Sequence, residues 1–387
     1  MADVFQFEGC ASESPRGPPR TPVPFKIHVS DELLGDLATR LAQTRFPDEL
    51  TDAGWTYGSN LQYMKSLVDY WKNSYNWRQQ EIHLNEYDHF KMYIPETDIN
   101  LHYVYVKSPR ADAKPLLFLH GWPGSFYEAW KLIPLLTKPK SGPAFHMIVP
   151  SLPGYGFSSA PKRKGFGVKK VADTVHQLMF NLGYKTYYAQ GGDWGSSICR
   201  TLGLYYPKNC LAIHINLCIV GHDSSNWIHR MQILELKYTG PLFFLSKEDY
   251  KGLNDASKFN ANGGELAYQA IQGTKPQTLG YGLTDSRSIT SSTRLYYESI
   301  GTGAQAAAAA AAARSAGKPS GSKKMPYVTV PTGVANFPNE LSKPPKNWVE
   351  SYYNLKHWSV HERGGHFGAM ENPEALAKDV QTFISKL

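Results

Sequence analysis

The chain has 387 residues, 42% hydrophobic and 19% charged, the balance of a folded globular protein and not of a disordered or fibrous one. Its formal charge is +8, but the basic residues are dispersed, with Lys162-Arg163-Lys164 and Lys169-Lys170 as solvated runs; no motif joins them, which argues against a nucleic-acid partner. No apolar stretch could span a bilayer and nothing resembles a secretory leader. Cys10, Cys199, Cys210 and Cys218 lack metal-site spacing, so a soluble cytoplasmic protein with free thiols is expected.

Residues 1–23, rich in Ser, Pro, Gly and Arg, read as a loose terminus. An N-terminal extension over 24–110 follows. Ser30 caps a helix opened by Asp31 and Glu32, with Leu34, Leu37, Ala38 and Leu41 on one face, ending before Pro47. A second amphipathic helix spans Leu61 to about Tyr75, with Leu67, Val68 and Trp71 as its apolar side. Residues 87–107 alternate like paired strands, with Leu101, Tyr103 and Tyr105 on one face. From 111 to 220 strand and helix signals alternate. Leu116–Leu119 and Met147–Val149 are short buried-strand runs, and Val168, Val171, Val175, Leu178, Met179 and Leu182 form one helical face closed by Gly183 at C′. Leu211–Leu217 is a later strand.

Between 221 and 300 the pattern becomes polar, Tyr-rich and helical, as an insertion lying over a catalytic edge would be. Residues 301–324 hold eight consecutive alanines (Ala306–Ala313) and read as a low-complexity insert. The remainder, 325–387, supplies a strand at Tyr327–Val330, another around Trp358–Val360 and a final helix. Asn372 caps that helix, Pro373 opens it, and Leu376, Val380, Phe383 and Ile384 face inward. The alternation predicts an α/β fold: a mostly parallel sheet with helices on both faces and catalytic loops at its carboxyl edge.

The chemistry concentrates in Tyr187–Cys199. A short apolar strand meets a Gly-flanked corner and then a helix, the arrangement in which α/β-hydrolases present the nucleophile of G-x-S-x-G. Asp193 stands at the apex, with Gly191, Gly195 and Ser196 as the small neighbours that a strained elbow needs. A carboxylate is already an anion at neutral pH and suits displacement at saturated carbon, leaving an ester on the protein. His120-Gly121-Trp122-Pro123-Gly124 follows a predicted strand. Alone it would read as a Gly/Pro turn; upstream of the elbow, the Trp122 N–H and that of Trp194 read as an oxyanion hole.

The chain order of this fold places the base near the C-terminus. Gly364-Gly365-His366-Phe367 offers His366, whereas His357 and His361 sit in or beside a strand and read as structural. The acid belongs on the preceding loop, where Glu340 within Phe337-Pro338-Asn339-Glu340-Leu341 stands ahead of Glu350. A phenol suits proton donation to a leaving alkoxide. Position alone does not choose among Tyr238, Tyr250, Tyr268, Tyr281, Tyr296 and Tyr297.

From Pro24 onward the chain resembles epoxide hydrolases of the microsomal type, found in soluble form in fungi. The resemblance rests on Trp55 with Tyr57-Gly58, Tyr70-Trp71, Tyr75-Asn76-Trp77-Arg78, Leu84-Asn85, His89-Phe90, His120–Gly124, Leu152-Pro153-Gly154-Tyr155-Gly156-Phe157-Ser158, Gly191–Ser196 and Arg363–Phe367. It implies Asp193 as nucleophile, Glu340 as charge-relay acid and His366 as base. It also implies two proton-donating phenols: Tyr268, ahead of Gly273-Thr274-Lys275-Pro276, and Tyr296, within Arg294-Leu295-Tyr296-Tyr297-Glu298. The chain departs from the family where a further pair of cap helices belongs, between Asp285-Ser286 and Ser291, so a shortened cap is expected.

The implied activity is hydrolysis of an epoxide to a vicinal diol, as in detoxification or secondary metabolism. It needs only epoxide and water, without cofactor or metal, and a homodimer is compatible with it. Haloalkane dehalogenation, with ring N–H donors to halide in place of two phenols, is the alternative reaction. A binding homologue whose short cap no longer closes is the non-catalytic alternative.

Overall fold

The computed structural model describes residues 21–261, 266–283, 287–301 and 325–387. Cys10, most of the loose terminus, Asp285-Ser286 and residues 302–324 of the alanine-rich stretch lie outside them. Two compact units partition the chain, Pro24–His89 and Phe90–Leu387. The alternating strands read within 24–110 lie almost wholly in the second unit.

Strand β1 (Val23–Phe25) precedes three helices, α1 (Asp31–Ala42), α2 (Leu61–Asn73) and α3 (Trp77–Leu84). Each helix begins on a side chain that accepts a free amide of its first turn: Ser30 from Leu33, Asn60 from Tyr63, Asn76 from Gln79. The apolar faces read from α1 and α2 are there, yet neither helix holds a fully buried residue. The short α3 escapes sequence reading because its one buried residue is a charged one, Glu81.

In the second unit the strands are β2 (His89–Ile94), β3 (Ile99–Val106), β4 (Lys114–Leu119), β5 (Phe145–Pro150), β6 (Tyr187–Gly191), β7 (Cys210–Ile215), β8 (Val328–Asn336) and β9 (Tyr353–Val360). Neighbours run β2-β3-β5-β4-β6-β7-β8-β9. β3 meets β5 antiparallel, and every pairing from β5 through β9 is parallel. The strands near the middle are buried almost throughout, as parallel strands covered on both faces must be; Leu116 to Leu119 are at most 2% exposed. Helices α4 (Leu132–Thr137), α5 (Val168–Asn181) and α6 (Trp194–Tyr205) follow β4, β5 and β6. Gly183, at φ +88°, lies just beyond the end of α5.

Between β7 and β8 come α7 (Trp227–Leu234), α8 (Lys247–Ala261), α9 (Ala267–Thr274), α10 (Pro276–Gly282) and α11 (Arg287–Tyr296), the last running into a π-helical turn, Tyr297–Gly301. After β8 come α12 (Lys346–Glu350), α13 (Gly368–Glu371) and α14 (Pro373–Ile384). β8 extends six residues past the predicted Val330. Pro331-Thr332-Gly333 looks like a turn in sequence, but the strand accommodates Pro331 at a register shift. Asn372 stands at the N-cap of α14 without capping it, because its amide donates to the Arg363 carbonyl instead. No helix among the described residues is long and apolar enough to cross a membrane.

Candidate active site

Asp193 occupies the turn between β6 and α6 at φ +48°, a conformation that a non-glycine residue adopts only under constraint from its surroundings. The constraint is visible at its flanks. A Cβ on Gly195 would lie 2.0 Å from the Leu119 carbonyl oxygen, and one on Gly191 would lie 2.6 Å from the Gly195 carbonyl carbon. Only glycine lets α6 start so close to β4 and β6, and this proximity aims the Asp193 carboxylate beyond the sheet edge. Gly195→Ala is expected to cost about 1–3 kcal/mol in overpacking and to lower the midpoint of thermal unfolding, together with activity; an unchanged midpoint would contradict this account of the corner.

Three loops converge on that carboxylate. From the turn after β4, the Trp122 N–H donates to Asp193 Oδ1 at 2.7 Å. From the loop after β9, His366 Nε2 lies 3.2 Å from Asp193 Oδ2. From the loop after β8, Glu340 Oε1 lies 2.6 Å from His366 Nδ1. The Glu340 side chain is 1% exposed, whereas Asp193 and His366 retain 16% and 15%. Acid and base loops are stitched together by a parallel bridge between Asn339 and Gly365. Burial opposes charge on His366, but hydrogen bonds to Asp193 and Glu340 outweigh it and lift the imidazole to about 10. The Trp194 amide follows Asp193 directly; as a first-turn N–H of α6 it has no intrahelical acceptor.

The rival residues go elsewhere. His357 Nε2 lies 2.7 Å from Asp379 Oδ1, while His361 and His214 approach Asp379 Oδ2 at 3.8 Å and 3.0 Å. Burial opposes the charge on Asp379, yet the imidazoles hold its carboxyl far below the usual carboxylate range. This cluster ties α14 to β7 and β9. Glu350 is exposed and pairs with Lys346 at 3.7 Å.

Of the six candidate phenols, Tyr268 and Tyr296 come together, ring centroids 5.9 Å apart. Tyr268 stacks on Trp122 at 5.2 Å, and Tyr296 meets the Trp194 ring edge-on at 4.9 Å. Tyr238 and Tyr281 are exposed; Tyr250 and Tyr297 are half-buried outside this cage. Tyr296 is 2% exposed, and burial, with Asp193 and Tyr268 adding, pushes its phenol well above the ordinary value. The helix that carries it is pinned to the sheet's loops: Ser291 Oγ donates to the Gly154 carbonyl at 2.5 Å, and Glu298 accepts from the Gly165 amide at 2.8 Å.

Residues 22–129 match the family described as epoxide hydrolase N terminus, and residues 114–231 match the alpha/beta hydrolase fold. Epoxide hydrolase 1 of Sus scrofa is 35% identical over 94% of this chain and 88% of its own length. The chain belongs to the epoxide hydrolase family. Juvenile hormone epoxide hydrolase 2 of Ctenocephalides felis is 36% identical over 94% of this chain and 85% of its own. Among solved structures, the juvenile hormone epoxide hydrolase of Bombyx mori superposes with a TM-score of 0.80 at 30% identity, covering 95% of this chain and 94% of that one. The Aspergillus niger epoxide hydrolase does so at 0.74 and 29%, covering 95% and 96%.

Sequence reading of this epoxide hydrolase missed three groups beside the nucleophile. His120 entered only as part of a turn. It is wholly buried, and desolvation lowers its imidazole to about 4, so it is neutral; its Nε2 accepts the Leu152 amide at 3.0 Å and ties two active-site loops together. Glu128 and Tyr155 were not singled out as functional. The available signal was a Glu and a Tyr inside otherwise apolar or glycine-rich turns next to the motifs.

Proposed function

We propose that the enzyme converts an epoxide to a vicinal diol through an ester on Asp193. Asp193 Oδ displaces oxygen from one ring carbon, and a phenol of the Tyr268–Tyr296 pair gives the departing alkoxide its proton. Before this step His366 is held as an imidazolium between two carboxylates. Esterification removes the Asp193 charge, so the imidazolium loses one partner and its proton restores the phenol. Neutral His366, oriented by Glu340, then takes a proton from water, whose oxygen adds to the ester carbonyl. The Trp122 and Trp194 amides receive the resulting oxyanion, and collapse returns Asp193, protonated His366 and diol.

The observation that carries this reading is the placing of one carboxylate between an acid-backed imidazole at 3.2 Å and an oxyanion-type amide at 2.7 Å. The two phenols, caged with Trp122 and Trp194, favour an apolar epoxide. Residues 221–300 are then the cap, carried by a core made of 111–220 and 325–387. Diol formation on a panel that begins with styrene oxide tests the activity. Tyr296→Phe and Tyr268→Phe should each slow alkylation by about 10- to 100-fold, with the double variant near inactive; burst kinetics unchanged in both single variants would remove the phenols from the mechanism.

One observation favours a second reaction at the same site. The indole Nε1 groups of Trp122 and Trp194 are buried without a hydrogen-bond partner among the described residues, and such donors suit a halide. Chloride release from chloroalkanes, without diol formation from epoxides, would select dehalogenation.

A further inference from the structure

Two buried polar side chains next to Asp193 have no part in the chemistry above. Glu128 lies in a 3-10 turn, Phe126–Ala129, and is 8% exposed. Its Oε1 takes one long hydrogen bond, 3.4 Å, from the Gly121 N–H. Gly121 joins this carboxyl to the nucleophile, since a Cβ there would lie 2.3 Å from Asp193. The turn is built around the Glu128 carboxyl: a Cβ on Gly124 would fall 1.6 Å from Oε1. Burial, with the Asp193 charge adding and the Gly121 amide and His366 opposing, raises this acid to about 8, which favours its neutral form.

Tyr155 is the second. It is 4% exposed, its ring stands edge-on to His120 at 5.1 Å, and its hydroxyl has no hydrogen-bond partner among the described residues. Its phenol is close enough to feel the charges of both Asp193 and Glu128. Leaving a buried polar group unpaired costs about 1–3 kcal/mol. Proteins keep such groups where water or chemistry claims them. A buried water needs at least two polar partners, and here a carboxyl and a phenol flank the carboxylate that must later be hydrolysed.

We propose that Glu128 and Tyr155 form the niche that holds the attacking water, making Glu128 a positioning residue for hydrolysis of the Asp193 ester. The proposal rests on the covalent reading above. The water gives its proton to His366 Nε2, and its oxygen bonds to the Asp193 carboxyl carbon. Glu128 and Tyr155 neither gain nor lose a proton. A neutral Glu128 is required, because a second anion here would hold His366 in its protonated form and deny it the role of base.

The test is a single-turnover measurement with styrene oxide that separates ester formation from ester breakdown. Glu128→Met should leave alkylation within about twofold of wild type and slow hydrolysis by about 10- to 100-fold, the scale of a misplaced reactant, so that ester on Asp193 accumulates in the mass spectrum. Tyr155→Phe should act in the same direction. Glu128→Gln, which keeps the shape and polarity of the neutral acid, should restore hydrolysis to within about threefold of wild type. Unchanged alkylation reports that the fold is intact. Wild-type hydrolysis in Glu128→Met and Tyr155→Phe, or an equal fall in both steps, or a Gln variant as slow as Met, overturns the niche. Absence of any ester in the wild-type enzyme defeats the covalent reading itself, a result distinct from the other three.

Discussion

Asp193→Asn is expected to retain the fold and lose turnover by on the order of 10⁴- to 10⁶-fold, the scale seen when a covalent nucleophile is removed from an intact site. Asparagine is the informative replacement. It matches the shape of the carboxylate and tolerates positive φ better than most residues, which matters at φ +48°. The Trp122 amide still finds a carbonyl oxygen to donate to, so the elbow should persist. What disappears is the anion. Binding, the phenols and the oxyanion donors remain, and substrate affinity should change little. Diol formation within tenfold of wild type would mean that water, not Asp193, attacks the epoxide.

His366→Gln should produce a different loss. Alkylation needs only an anionic Asp193 and a phenol, so the first turnover begins. Hydrolysis then stalls, because the imidazole that takes the proton from water is gone. Steady-state turnover should fall by on the order of 10³-fold or more, while about one equivalent of epoxide is consumed per site. Intact-mass analysis should find the enzyme heavier by one substrate, with the addition on the peptide that contains Asp193. A slow variant without such an adduct would show His366 acting before ester formation and would overturn its assignment as base. Glu340→Gln should resemble a milder form of the same defect, since the amide leaves the imidazole less firmly held as a cation.

The contrast between these variants reflects what the sequence could convey. The positions of Asp193, His366 and Glu340 at one sheet edge were legible because each depends on local backbone chemistry: glycines that let a helix start against a strand, and loops at the ends of buried apolar runs. The mostly parallel sheet followed from alternation, since parallel strands need crossovers. The choice of Tyr268 and Tyr296 among six tyrosines was not legible from the residues. It depends on where α9 and α11 lie over Trp122 and Trp194, a tertiary relation with no local period, and only resemblance selected the pair. Misread boundaries have equally specific causes. Pro331 and Gly333 look like chain breakers, but a register shift absorbs the first. Asn372 looks like a cap, but a nearby carbonyl takes its amide. Glu128 stayed hidden because a charged residue in a turn is ordinarily solvated, and only the packing around Gly121 and Gly124 reveals that this one is buried.

The central claim is that oxygen enters the diol from the protein and not directly from water. With enzyme in excess over styrene oxide in ¹⁸O-water, a single turnover should give unlabelled diol, because the new oxygen comes from the Asp193 carboxylate, while the label appears in the Asp193 peptide. Label in the diol of that first turnover, with none in Asp193, would contradict the account.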